Sequence, residues 1–387
     1  MFVSIKECSK DRVPSFCPSL TLKETRAVLD RFPQLGCVKT WIWRRRNPYY
    51  AASGIVLASG GPVFIKRHSS SVRNAHALMQ EHRFIAHLRA AQLPVCEVLV
   101  DASGACAIDC GHWVYEVHRA MPGIDLYRDA FFWTPFVSVA HARAAGQALA
   151  QLHLAARGYT APARRTQILV GRFGIFASAD PLAQLDALIR NCPSLARLLA
   201  RRRWRAAAHK RLLPFHARLY PLLQTLETLW THNDWHASNL LWSSARAPVR
   251  VSAILDFGLS DRSYALCDLA IAIERNIIGW RAQPYVHSGS IDWDALHAFL
   301  DGYESLKPLT EAEAHALPRL LPLAHAEFAL SEMAYFSSVA DAPEQAALTY
   351  ERYFLGHADW FNGCAGQALI ACLERRAARA NTAYALY

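Results

Sequence analysis

Long apolar runs are missing from this 387-residue sequence. No stretch approaches the roughly 18–20 residues that a membrane-spanning helix requires, so no membrane partner is expected. Positions 1–16 are broken up by Lys6, Glu7, Lys10, Asp11 and Arg12, which leaves no room there for a secretory h-region. Disulfide rhythm is absent as well. The ten cysteines are scattered as in a reducing compartment, and the expected setting is the cytoplasm. Cys106-x3-Cys110-x-His112 could open a metal site, but no second ligand pair stands at zinc spacing, so thiols beside a turn are expected. Repeats and low-complexity tracts are lacking too. Charged residues are sparse, 19% against 52% hydrophobic, which excludes a disordered chain. Within that charge, 42 Lys plus Arg outweigh 32 Asp plus Glu, a formal excess of +10. The excess raises the question of an anionic partner: nucleic acid, a membrane surface or a phosphorylated ligand. Composition does not choose among them.

What is present divides in two. Thr21-Leu22-Lys23-Glu24 has the capping-box pattern, followed by Val28, Leu29 and Phe32 on one face. Segments 38–45, 49–58 and 62–68 read as strands, with turns at Asn47-Pro48 and Gly60-Gly61. A helix is expected over 71–91, then short strands over 97–101 and 112–118. Beyond Met121-Pro122-Gly123 the texture is helical: 139–157, most of 182–229 with breaks at Pro193 and Pro214, then 264–281, 292–305, 318–339 and 344 onward. One β-like interlude, 228–258, interrupts it. The expected class is α+β. A small antiparallel-sheet lobe, 1–120 with a hinge near 116–122, joins a larger mainly helical lobe, 121–387.

The interlude carries the chemistry. Thr231-His232-Asn233-Asp234-Trp235-His236-Ala237-Ser238-Asn239 leads into Leu240-Leu241-Trp242, a turn, and a strand ending in Asp256-Phe257-Gly258. Asn239 and Asp256 stand five and 22 residues after Asp234. Phosphoryl transfer needs one carboxylate near an acceptor hydroxyl and oxygen ligands that hold magnesium on the transferred phosphates. A His-x-Asp-x4-Asn loop followed by a strand and Asp-Phe-Gly supplies all three.

This segment resembles the catalytic and metal loops of the protein-kinase-like superfamily, above all its branch of aminoglycoside phosphotransferases and type II homoserine kinases (choline kinase-like). In outline the resemblance runs from about residue 25 to 360. It implies a two-lobed protein-kinase-like fold, ATP and Mg²⁺ as cofactors, and a small-molecule hydroxyl acceptor. On the matching positions it makes Asp234 the catalytic carboxylate, Asn239 a metal ligand and Asp256 the principal magnesium ligand. Lys66, closing Val63-Phe64-Ile65-Lys66, stands where kinases carry their phosphate-binding lysine. Leu78, Glu81, Ile85 and Leu88 are spaced by 3, 4 and 3, so Glu81 lies in an apolar stripe where a lone carboxylate is costly; Lys66 is its expected partner. Glu116-Val117-His118 is the expected hinge, its backbone meeting adenine. By the same resemblance Asp268, in Cys267-Asp268-Leu269-Ala270, braces the catalytic loop, and His232 packs beneath it.

The departures are informative. There is no G-x-G-x-x-G loop; Arg44, Arg45 and Arg46 occupy that turn, either near ATP phosphates or simply solvated. Asn233 precedes Asp234 where protein kinases carry arginine. Ala342-Pro343-Glu344 lies 86 residues past Asp256, beyond several helices, so regulation by an activation loop is not expected. On the acceptor side the candidates are Trp235, which narrows a pocket or only packs, then His236, Glu274, Arg275, Asn276, His325, Glu327 and Glu332. The large lobe offers few clustered carboxylates for a polycationic aminoglycoside, so a small hydroxy amino acid or amino alcohol fits better. The aminoglycoside is the alternative.

Two readings of other classes compete. His232-x-Asp234-x-His236 could grip one ion in a metal hydrolase, but that leaves Lys66, Glu81 and Asp-Phe-Gly unexplained. Residues 197–211 carry seven Lys or Arg around Trp204, a possible nucleic-acid footprint. No recognition motif accompanies it, so a solvated basic helix face is expected and a nucleic-acid partner is not.

Overall fold

In the computed structural model, residues 18–384 are described except 48, 50, 131–132, 166–167, 170 and 281–288. The charged segment 1–16, Pro48 of the expected first turn and Arg281 lie outside these. The Thr21–Glu24 capping box is formed and starts α1 (Leu22–Leu29). Five strands follow: β1 (Val38–Asn47), β2 (Ala51–Ala58), β3 (Gly61–Ser69), β4 (Ile108–Cys110) and β5 (Trp113–Arg119), with α2 (Ala75–Ala90) between β3 and β4. They form one antiparallel sheet in the order β1-β2-β3-β5-β4. Alternation along β2 and β3 buries Val56, Val63 and Ile65 against Leu29, Phe32 and Leu35, the core of the small lobe.

The expected strand over 97–101 is not a ladder. It meets β5 through a single bridge, Val98 to His118, with the Leu99 N–H on the Val117 carbonyl and the Arg119 N–H on the Glu97 carbonyl. The Asp101 carboxylate takes the N–H groups of Ser103 and Ala105, which turns the chain away from the sheet.

The chain passes to the large lobe over residues 120–123. Gly123 has φ 135°, where a Cβ would also press on Leu241, and Ile124 pairs with Trp242. The large lobe holds α3 (Val139–Ala156), then α4 (Pro181–Asn191), α5 (Pro193–Leu199), α6 (Trp204–Arg211) and α7 (Leu213–Leu223). Strands β6 (Thr228–Thr231), β7 (Leu240–Trp242), β8 (Val251–Ile254) and β9 (Asp261–Tyr264) pair β6 with β9 and β7 with β8. After them come α8 (Ala265–Asn276), α9 (Trp293–Glu304), α10 (Glu311–Ser338), α11 (Pro343–Leu348), α12 (His357–Asn362) and α13 (Cys364–Tyr384).

Helix α10 begins seven residues before the expected Pro318, at its Thr310 capping box, and runs through Pro318 and Pro322. Packing of its apolar residues against α8, α7 and α13 outweighs the lost backbone bonds. Ala342-Pro343-Glu344 only starts α11. Phe84, Ile85 and Leu88 of α2 belong to the large-lobe core, so this helix is packed between the two lobes.

Candidate active site

The loop 232–239 leaves β6 and is held from below. The Asp268 carboxylate on α8 accepts the N–H groups of His232 (2.8 Å) and Asn233 (2.5 Å) and receives His153 Nε2 (3.0 Å). Asn233 takes a left-handed conformation, φ 59°. His232 is buried; its Nε2 meets the Leu255 carbonyl at 2.9 Å while Nδ1 accepts the Asp234 N–H. That pair of bonds sets the neutral tautomer with the proton on Nε2, and burial lowers the ring's pKa. Loop and α8 are thereby fixed as one unit.

Asp234 is aimed into the cleft between lobes and is bound by three side chains. Arg275 Nη1 donates to Oδ1, Asn239 Nδ2 donates to Oδ2 at 3.0 Å, and His236 Nε2 stands 3.6 Å away. Burial pushes the Asp234 carboxyl up, but Arg275 and His236 outweigh it and hold the group well below the ordinary carboxylate range. It is thereby held as a carboxylate, able to accept a hydrogen bond. Asp256 follows β8 in a left-handed conformation, φ 55°, that turns its carboxylate to Lys66 Nζ at 2.9 Å. Burial raises the Asp256 carboxyl, yet Lys66 brings it below its ordinary value; burial lowers the lysine in turn, but Asp256, Glu116 and Glu81 outweigh this and raise it.

These donors fit a hard divalent cation. The Asn239 amide nitrogen is spent on Asp234, leaving its oxygen for a metal, and Lys66 bonds one Asp256 oxygen and leaves the other.

Several expectations are corrected. Lys66 pairs with Asp256, and Glu81 is engaged elsewhere: its carboxylate lies 3.7 Å from Arg164. Arg164 also donates to the carbonyls of Ala77, Gly258 and Ser260, and Arg73 to those of Leu169 and Gly258. Two buried arginines thus tie α2 to the Asp-Phe-Gly turn, and Glu81 balances one of them. Glu116 and His118 are not at the hinge. Their backbone groups are committed to β5, and their side chains turn into the small lobe, where Glu116 meets His68, His82 and His118. The chain crosses between lobes after Arg119. Trp235 is fully buried, edge-on to His232, so it packs.

The other acceptor candidates divide. Glu327 accepts the N–H groups of Gly174, Ile175 and Phe176, and Asn276 that of Ala237; both brace loops. Glu274 lies between His325 (3.4 Å) and His357 (2.9 Å), with His357 stacked on Trp280. Glu332 on α10 accepts the Tyr49 hydroxyl, which reaches across from the β1–β2 turn. His236 bonds Ser238 through Nδ1. Arg44 is used on the Leu20 carbonyl, and Arg45 faces Asp125 and Asp129. The contact of Arg275 with Asp234 had a sequence signal: it stands seven residues after Asp268, on the same face of α8.

Comparison with known proteins agrees with this architecture. A model of the phosphotransferase enzyme family matches residues 55–309. Homoserine kinase of Caulobacter sp. (strain K31) is 28% identical over 68% of this chain and 72% of its own. Homoserine kinase of Phenylobacterium zucineum is 29% identical over 71% and 80%. Among solved structures, an aminoglycoside phosphotransferase from Alicyclobacillus acidocaldarius superposes with a TM-score of 0.54 at 16% identity, covering 95% of this chain and all of that one. Amicoumacin kinase, solved with AMP-PNP, Ca²⁺ and amicoumacin, gives 0.57 at 14% identity, covering 88% and 96%. The fold is therefore kinase-like, and the chain belongs to the phosphotransferase enzyme family as a small-molecule kinase.

Proposed function

We propose that this kinase transfers the γ-phosphoryl group of ATP, as its magnesium complex, to the hydroxyl of a small amino-bearing metabolite such as a hydroxy amino acid or amino alcohol. The observation that carries the chemistry is the convergence of Asp234, Asn239, Asp256 and Lys66 on one cleft. Asp234, kept ionised by Arg275, orients the acceptor hydroxyl and takes its hydrogen bond. Lys66 anchors the α- and β-phosphates. Asp256 and Asn239 would hold Mg²⁺, whose charge would offset that of the transferred phosphate. The Asp268 brace fixes the loop, so that little reorganisation accompanies the transfer.

The acceptor class is supported by the homoserine kinases among the relatives and by charges of both signs beside Asp234. Arg275 suits a carboxylate; Glu274 and Glu332 suit an ammonium. One Glu332 oxygen is buried without a hydrogen-bond partner, which an acceptor donor group would satisfy. The test is acceptor-dependent ADP release from ATP across hydroxy amino acids, amino alcohols and aminoglycosides. Homoserine-like compounds should support turnover at the lowest KM. Turnover with aminoglycosides alone would favour the alternative, antibiotic phosphorylation.

A further inference from the structure

Behind Lys66, on the same face of the sheet, Glu116 stands directly opposite it in the β3–β5 register. Glu116 is buried and faces three histidines. His68 Nε2 lies 2.8 Å from Oε1, while His82 Nε2 and His118 Nε2 both approach the other oxygen, Oε2, at 2.8 and 3.1 Å. The donor atoms of His82, His118 and Glu116 all lie within 4.8 Å of one another. The His118 contact lacks the geometry of a hydrogen bond, so among the described residues its buried Nε2 has no hydrogen-bond partner. The Cys106 thiol lies beside His82, and the Cys96 thiol beside His118.

We propose that His82, His118 and Glu116 Oε2 form a Zn²⁺ site in the small lobe. Tetrahedral zinc with ligands at about 2.0–2.1 Å places neighbouring donor atoms about 3.3 Å apart, close to the spacings found here. Imidazole and carboxylate are zinc donors, unlike the all-oxygen set of Asn239 and Asp256. His68 on Oε1 supplies the outer hydrogen bond that orients a ligating carboxylate and leaves Oε2 for the metal. The ion would clamp α2, which carries His82, to β5, and so set the sheet face on which Lys66 stands.

The test uses the full chain loaded with ZnCl2 and then dialysed against metal-free buffer. About one zinc per chain should remain, with a raised Tm, because a site formed only in the folded state stabilises it. Replacement by Co²⁺ should give the intense visible spectrum of a four-coordinate site. Glu116→Gln and His118→Phe should each weaken zinc binding at least about tenfold, while Asp256→Asn should keep it. Stoichiometry near zero, or a pale octahedral cobalt spectrum, overturns the site. So does zinc that persists in the His82→Phe/His118→Phe double variant, for it would sit elsewhere, as at Glu274, His325 and His357. Should the variants fail to fold, the wild-type stoichiometry and cobalt spectrum decide.

Discussion

Asp234 and Asp256 are two carboxylates with different neighbours, and their substitution should separate chemistry from stability. Asp256 keeps 38% of its side chain exposed at the cleft and meets Lys66 there. Asp256→Asn should abolish ADP release while changing stability by no more than about 1 kcal/mol, checked by urea denaturation. Asp234 is the partner of a buried arginine, 3% exposed. Asp234→Asn should lower turnover by at least about a hundredfold and also cost about 3 kcal/mol, because Arg275 then keeps only Glu274, 3.9 Å away, as a buried ion-pair partner among the described residues. Adding Arg275→Met should restore part of that stability and none of the activity; an additive pair of losses would show that the two side chains are uncoupled. The spacing of Asp234, Asn239 and Asp256 was readable because all three lie on one local hairpin. The inward face of Glu81 was readable from its helical spacing, but its partner was not, since Arg164 comes from a distant loop and no periodicity points to it.

At the scale of elements, helix positions were mostly legible and helix contacts were not. Segment 139–157 reads as an Ala-rich helix, but nothing in its pattern names α9 as its neighbour. The crossing depends on two glycines: a methyl on Gly146 would overlap the Phe299 carbonyl oxygen, and one on Gly302 the Arg143 carbonyl oxygen. The backbones meet there without side chains between them. Gly146→Ala gains about 1 kcal/mol in helix propensity and should still destabilise by roughly 2 kcal/mol, since only a shift of the whole helix relieves the overlap. Chemical denaturation of this variant checks it, and a gain in stability would mean that the helices separate freely. The short strand expected over 97–101 failed for a comparable reason: Asp101 captures nearby N–H groups, a local competition that residue type alone does not reveal.

For the whole molecule, the excess of positive charge is a weaker guide than its placement. Arg202, Arg205 and Arg211 of the basic 197–211 run are paired with Glu351, Asp186 and Asp359, whereas Lys66 faces the cleft. The lobes are held together on two sides of that cleft. Arg73 and Arg164 join α2 to the Asp-Phe-Gly turn, and Tyr49 of the β1–β2 turn hydrogen-bonds Glu332, its ring against Tyr335 and Phe336. Burial raises the Glu332 carboxyl and the Tyr49 bond opposes that rise. Tyr49→Phe preserves the ring and removes only the donor. If this turn closes over the acceptor, the substitution should raise the acceptor KM about tenfold, as expected for one hydrogen bond to a charged group, and leave the KM for ATP within about twofold. Steady-state kinetics with each substrate varied in turn separates the two. A rise confined to the KM for ATP would instead assign the turn to the nucleotide, the place where other kinases use a glycine-rich loop.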